Sequence, residues 1–379
     1  MLFRIAHAIE SESSMDVTPL VEGATKVKAS DIHLMENYPP YFRMDGDLVP
    51  VKYPPLTHQD MLDCIGTLVP ERLRSTLETR RAVDVGYQHK DIVRLRIVVY
   101  YERGRLRIVL RLIPLKIKTF EELGLPPTLE KVANYISGLV VLTGPTGSGK
   151  STTLAAIIDF MNSRDKISIT TIEDPIEFVH QNKTAVVTQR EVGEDVTDFN
   201  AGVIQALRQD PDVILIGEMR DTETIRTAIK AAETGHYVMS TLHTTDAIQT
   251  IERTISTFPE PEQDLVKQQL STNLKASITQ TLVKRIEGGR AAALEILIAT
   301  GTVSKLIADD RLRDIYTVMQ TGEEGMQTRD QALANLAREK VISEQEGESN
   351  AKDVYAYKRF LKGVSSSSDR GGIIAGFGG

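Results

Sequence analysis

The chain has 379 residues, 41% of them hydrophobic and 26% charged, a composition that suits a globular protein of two or three domains. A formal net charge of −7 excludes a global basic field of the kind that draws nucleic acid or anionic lipid. The single cysteine, Cys64, excludes an internal disulfide framework and a four-cysteine zinc site.

No apolar run approaches the roughly 18 residues of a membrane-spanning helix, and Met1–Ser14 lacks the continuous apolar centre of a secretory signal. A cytoplasmic chain is therefore expected. Residues 1–114 are expected to form a first α/β domain. Its pattern predicts helices over 17–27, 58–68 and 70–77, and a strand starting at Ser30. A hairpin is predicted through 41–51, turning at Asp45-Gly46, with two further strands over 93–101 and 106–113. Arginines alternate along those last two strands: Arg94 and Arg96, then Arg105, Arg107 and Arg111. Alternation puts each set on a single sheet face, for which a solvated surface is the ordinary reading.

Residues 115–127, with their prolines and the turn around Gly124, are predicted to be an interdomain linker. From 128 to about 300 short buried strands alternate with helices, the pattern of a parallel α/β sheet. Strands are expected over 139–142, 167–172, 185–189, 213–216, 237–241 and 292–298, and helices over 302–345. The second domain is thus placed at 128–345. Residues 346–379 are predicted to be a tail, disordered over its Ser- and Gly-rich end from Ser365.

The most informative stretch is Gly144-Pro145-Thr146-Gly147-Ser148-Gly149-Lys150-Ser151, followed by Thr152. It fits G-x-x-x-x-G-K-[ST] and lies between a predicted buried strand and a predicted helix, the context that phosphate-binding loops require. Glycines turn backbone N–H groups toward phosphate oxygens, and the helix N-terminus adds a favourable dipole. Lys150 is expected to reach the β- and γ-phosphates of ATP and Ser151 to ligate Mg²⁺.

Val213–Ile216 then runs into Gly217-Glu218, a strand ending in a carboxylate as in a Walker B motif. Glycine stands where that motif usually has its aspartate. Glu218 is left as the group that orients or deprotonates water. The missing aspartate directs attention to Glu173, Asp174 and Glu177, three acids after a predicted strand. They are expected to help hold Mg²⁺, through Glu173 and Asp174, or to polarise the hydrolytic water. His236 and His243 flank another predicted strand without metal-site spacing. His243 can sense the γ-phosphate or bridge to Glu218, whereas His236 by itself is as readily structural. Phosphoryl transfer also needs cations, for which Arg96 and Arg111 are the leading candidates and Arg208 a weaker one.

Together these segments resemble the secretion ATPase superfamily, and within it the PilT-type pilus retraction ATPases. The supporting strings are Ala29–Leu34, Gly144–Leu154, Thr171–His180, Gln189–Val192, Arg208–Thr224, Ala231–Thr245 and Met326–Leu333. The resemblance implies a PAS-like N-terminal domain, a RecA-like C-terminal domain and a homohexameric ring binding ATP between the two domains. It implies catalytic roles for Glu218, Glu177, Glu173, His243, Arg96 and Arg111. Nucleotide binding falls to Gly144–Thr152 and His236.

The implied work is type IV pilus retraction and twitching motility through an inner-membrane platform protein, at the cytoplasmic face and without a membrane span of its own. A second motor ATPase is an implied partner. The alternatives are an accessory retraction paralogue of the PilU type, or a pilus-assembly or type II secretion ATPase. Those assembly and secretion ATPases usually add a tetracysteine insert, which one cysteine cannot make. Retraction motors typically carry a C-terminal Ala-Ile-Arg-Asn-Leu-Ile-Arg-Glu stretch. Here Gly301–Asp310 keeps only its central Leu306-Ile307.

Overall fold

A computed structural model describes residues 15–44 and 46–363. Its contacts separate two compact units, one up to Lys116 that also takes in Pro175–Val179, and one comprising Ile117–Asp174 and the chain from His180 onward.

The first unit is a six-stranded antiparallel sheet. Its strands are β1 (Asp31–Met35), β2 (Tyr41–Met44), β3 (Asp47–Pro50), β4 (Ala82–His89), β5 (Val93–Glu102) and β6 (Arg105–Ile113), in the order β3-β2-β1-β6-β5-β4. Strict alternation along β5 and β6 turns Leu95, Ile97, Val99, Leu106, Ile108 and Leu110 to one face, all fully buried. That face is covered by the helices Thr18–Lys26 and His58–Leu68, so one apolar layer serves sheet and helices alike. β4 is absent from the sequence expectation, although Val83, Val85 and Tyr87 alternate with Asp84, Gly86 and Gln88 as a half-buried strand does. The turn residue Asp45 lies outside the described residues, as do Met1–Ser14.

The opposite face of this sheet carries the arginines. Arg96 and Arg111 are directly opposed across β5 and β6, and Asp31 is opposed to Arg111 across β1 and β6. Like charges directly opposed destabilise a sheet unless each finds a counter-charge. Arg111 Nε donates to Asp31 Oδ1 at 3.1 Å, and Arg96 Nη2 to Asp84 Oδ2 at 2.8 Å. The arginines thus form an ordered charged row.

The second unit is built on a seven-stranded sheet. Its strands are β7 (Gly138–Thr143), β8 (Ser168–Glu173), β9 (Val186–Glu191), β10 (Val213–Ile216), β11 (Tyr237–Leu242), β12 (Leu274–Lys284) and β13 (Arg290–Ile298). Their order is β13-β12-β7-β11-β10-β8-β9, with every pairing parallel except the β12–β13 hairpin. Every residue of β7, β10 and β11 is buried, as expected for parallel strands covered on both faces. β12 is the strand that the sequence pattern does not show. Ser277, Thr279 and Gln280 interrupt its apolar run, yet all three are buried.

Two segments differ from their expected form. The 115–127 stretch is ordered: a capping box between Thr119 and Glu122 starts the short helix Phe120–Leu123, and Phe120 stacks on Phe160 at 5.0 Å. Burying Phe120 and Leu125 in the second unit's core ties this stretch down.

Residues 346–363 are not a tail. The helices Glu344–Asn350 and Val354–Leu361 bury Ala356, Tyr357 and Phe360 against Leu333, Ala337, Val283 and Ala293. Gly347 permits that approach, since a Cβ there would lie 2.3 Å from the Tyr357 hydroxyl oxygen. The rest of the tail expectation, 364–379, lies outside the described residues. Leu306 and Ile307, the pair kept from the family stretch, are buried together with Val303 in helix Gly301–Ala308. Packing accounts for their retention.

Candidate nucleotide-binding and hydrolytic site

The parallel strands of the second unit end on one edge, and the loops after them carry most of the candidate residues. β7 delivers Gly144–Gly149 directly into the helix Lys150–Arg164, with Gly149 at the helix N-cap in the left-handed region (φ +88°). Gly144 (φ +135°) lies against β12, where an added Cβ would be 2.3 Å from the Gln280 carbonyl oxygen and 2.8 Å from Ser148 Oγ. Only glycine fits such an approach.

The loop is held by a residue that sequence reasoning missed. Gln280 donates from Nε2 to the Ser148 carbonyl (2.8 Å), and its Oε1 accepts from the Thr153 hydroxyl (2.7 Å). Both bonds are buried, so breaking either strands polar atoms away from water. Unrecognised as a strand, β12 offered no signal that Gln280 reaches the loop. Lys150 is buried, and its ammonium donates to the carbonyls of Gly144 (2.8 Å) and Pro145 (3.3 Å). Ser151 is exposed at the head of the helix, with Thr152 half-buried behind it. The residues present fit a polyphosphate, since Gly144 and Gly149 leave no room for a Cβ while the buried Ser148 hydroxyl has no hydrogen-bond partner in the described structure.

β11 separates β7 from β10, so the Gly217-Glu218 loop begins about 10 Å from the phosphate-binding loop at ordinary strand spacing. Its backbone is fixed from two sides. Gly217 N–H donates to the Ile172 carbonyl (2.7 Å), and the Gly217 carbonyl accepts from the Thr241 hydroxyl (2.7 Å). A Cβ on Gly217 would stand 3.2 Å from the Ile172 carbonyl oxygen and 3.3 Å from Glu173 Cα. The close approach of β8 thus leaves little room for a side chain where the usual motif has aspartate. Glu218 meets His243 Nε2 at 3.1 Å and is ion-paired to Arg220 (2.7 Å), and its side chain is only 17% exposed. With Met219, Arg253 and Thr257 these residues line a small cleft. Glu218 and His243 therefore meet as the sequence suggested.

Glu173 closes β8. Its Oε1 accepts from Thr171 Oγ1 (2.7 Å) and Gln189 Nε2 (3.1 Å), while Asp174 beside it is exposed. Glu177 comes three positions after Asp174. It belongs to the first unit, where Arg96 Nη1 approaches its Oε1 at 3.4 Å and Arg94 donates to the Ile176 carbonyl at 2.6 Å. The three acids expected to work together are divided between two units, because the chain leaves the second unit after Asp174 and re-enters it at His180. The re-entry point is fixed by Gln189, whose Oε1 accepts from His180 N–H (2.7 Å). Burial pushes the His180 imidazole down to about 4, which keeps it neutral there.

His236 is a correction. It precedes β11, and its carbonyl accepts from Gly138 N–H at the start of β7, so it sits at the end of the sheet opposite the phosphate-binding loop. Six residues of β11 separate it from His243, about 20 Å at strand rise. Its ring contacts the Ala231 carbonyl and Thr234 hydroxyl, a local capping role, and it does not join the nucleotide-binding residues of its own chain. Arg208 lies after the helix Phe199–Ala206, near the strained Asp210 (φ +53°).

A phosphate-binding loop after one parallel strand, with a paired carboxylate two strands away, defines a RecA-like P-loop nucleoside triphosphatase. The chain matches the Type II/IV secretion system protein family over residues 10–352, and it belongs to that family. It is 44% identical over 339 residues to the Pseudomonas aeruginosa protein named Type IV pilus retractation ATPase PilT, covering 89% of this chain and 98% of that one. It is 36% identical over 357 residues to the Type IV pilus ATPase PilU of the same organism, covering 94% and 93% respectively. Among solved structures, one described as the pilus retraction motor PilT with bound ADP superposes with a TM-score of 0.85 at 40% identity. It covers 91% of this chain and all of that one.

Proposed function

We propose that this chain is the ATP-hydrolysing motor of type IV pilus retraction, working as a homohexameric ring and powering twitching motility. The observation that carries the reading is the pairing of Glu218 with His243 on the same sheet edge as Gly144–Ser151, in a chain 44% identical to a retraction ATPase. Gly144–Gly149 would hold the phosphates through backbone N–H groups. Lys150 would turn its ammonium from the Gly144 and Pro145 carbonyls to the β- and γ-phosphates. Ser151, Glu173 and Asp174 would hold Mg²⁺, which when bound neutralises phosphate charge. One or two protein oxygens suffice for an ion that keeps waters and phosphate oxygens as its remaining ligands. Glu218 takes the proton of the attacking water, and His243 orients that carboxylate.

Arg96 and Arg111 of the first unit are proposed as the cations brought to the γ-phosphate, and Glu177 holds Arg96 ready. Arg96→Ala and Arg111→Ala are expected to lower kcat by about 10- to 1000-fold while ATP affinity falls much less. Phosphate release measured beside nucleotide binding checks this. Unchanged turnover in both variants returns the arginines to a plain solvated face.

Among the described residues no helix is long and apolar enough to cross a membrane. Attachment is therefore assigned to an inner-membrane platform protein, contacted from the cytoplasmic face. The similarity to PilU over 94% of the chain supports a second reading, an accessory retraction ATPase beside a main motor. Deleting the gene and scoring both surface pili and twitching tests the proposal. Abundant pili without twitching is the expected result. Loss of pili would assign the chain to assembly, and normal twitching would favour the accessory reading.

A further inference from the structure

His243 lies in a loop, 243–246, between β11 and the helix Ala247–Ser256; the far side of that loop is tied to the C-terminal part of the chain at two points, and the first residue of the helix is held at a third. Arg329 Nη2 donates to the Thr245 carbonyl. Lys352 Nζ donates to Asp246 Oδ2 at 2.8 Å, while Asp246 Oδ1 caps the following helix through Gln249 N–H (2.8 Å). Glu295 Oε1 accepts from Ala247 N–H at 2.8 Å. Asp246 and Glu295 are 4% and 3% exposed, so the bond to Ala247 is buried, while Lys352 reaches the buried Asp246 carboxylate from a side chain that is 43% exposed.

Lys352 is itself held in place. It lies between the helices Glu344–Asn350 and Val354–Leu361, and its backbone N–H donates to Asp330 Oδ1 at 2.7 Å. The neighbouring Asp353 N–H donates to the other oxygen of the same fully buried carboxylate at 3.1 Å. A flexible lysine on a free tail would contribute little at such a distance from its anchor. Here a buried carboxylate sets the lysine's backbone, and the lysine sets the residue that caps the helix after His243. Within the same loop, Thr244 Oγ1 meets Thr250 Oγ1 at 2.6 Å, which leaves its direction little freedom.

The geometry points to Lys352, supported by Arg329, as a positioning residue for hydrolysis: it holds the 243–246 loop so that His243 meets Glu218. Neither side chain is among those assigned to the nucleotide, so the effect passes through the loop. The inference rests on the proposed hydrolytic role of the Glu218–His243 pair. It gives the C-terminal helices a part in turnover beyond packing, since displacing Lys352 releases the Asp246 end of the loop that carries His243.

Steady-state ATP hydrolysis by the full-length chain tests it. Lys352→Met is expected to lower kcat by about tenfold with KM for ATP within about twofold, the size of effect typical when a group orienting a functional side chain is lost. Lys352→Arg is expected to restore most of the rate. Lys358→Ala, which breaks only the pair with Glu348 in the same helices, is expected to leave turnover unchanged. The double variant Lys352→Met with His243→Ala should turn over no more slowly than His243→Ala alone, whereas a general loss of stability would make the two effects add.

Additive losses, or wild-type turnover in Lys352→Met beside an impaired His243→Ala, would overturn the inference while leaving the proposed site intact. Normal turnover in His243→Ala would overturn the hydrolytic role of that histidine and the inference with it. If Lys352→Met does not fold, Arg329→Gln carries the same comparison.

Discussion

Replacing Glu218 by glutamine is expected to lower ATP turnover by about 10²- to 10⁴-fold, the usual contribution of a positioned general base. Nucleotide affinity should stay within about threefold, because the residues assigned to the phosphates are on other loops. The substitution keeps size and shape, and the Gly217 backbone stays anchored to Ile172 and Thr241 whatever residue 218 carries. What disappears is the carboxylate that pairs with His243 and Arg220. Phosphate release measured with a fluorescent-nucleotide binding titration separates the two quantities. Turnover near wild type would remove Glu218 from its role and turn attention to Glu173 and Asp174 after β8.

Alanine at Gly144 is expected to act on the opposite quantity. The new Cβ would lie 2.3 Å from the Gln280 carbonyl oxygen, a backbone atom that no rotamer change can move aside. Either β12 or the loop must shift, and Gln280 is also what holds the Ser148 carbonyl and Thr153. Overpacking of this kind costs on the order of 3 kcal/mol, which corresponds to about 100-fold in ATP affinity if the loop absorbs it. Gly147→Ala is the matched comparison. Its φ of +79° imposes left-handed strain, but its Cβ would meet nothing within 4 Å. About 1–2 kcal/mol of strain predicts a loss of only 5- to 30-fold. Equal losses in the two variants would mean that backbone strain alone, and not contact with β12, makes Gly144 necessary.

The hydrolytic constellation depends on sheet order as much as on motif. Glu218 and His243 are 25 positions apart in sequence, yet β10 and β11 are neighbouring parallel strands whose registered ends bring them to 3.1 Å. The same logic moves His236 away. A histidine before a strand and one after it cannot share a site at one end of that strand. Glu177 shows the complementary case. It is four positions from Glu173, yet the chain between them passes from one unit into the other.

The sequence by itself determined the phosphate-binding loop, the buried parallel strands around it, the arginine alternation and the family. Those features are local, since a glycine spacing, a run of β-branched residues or a period of two can be read within ten residues. Only the tertiary structure decided four others: β12 with Gln280 on the loop, the division of the acids, the packing of residues 346–363, and the tether from Lys352 to the His243 loop. Each depends on partners that lie well outside the few residues over which periodicity is read, or on a change of unit, and periodicity carries no information about such partners.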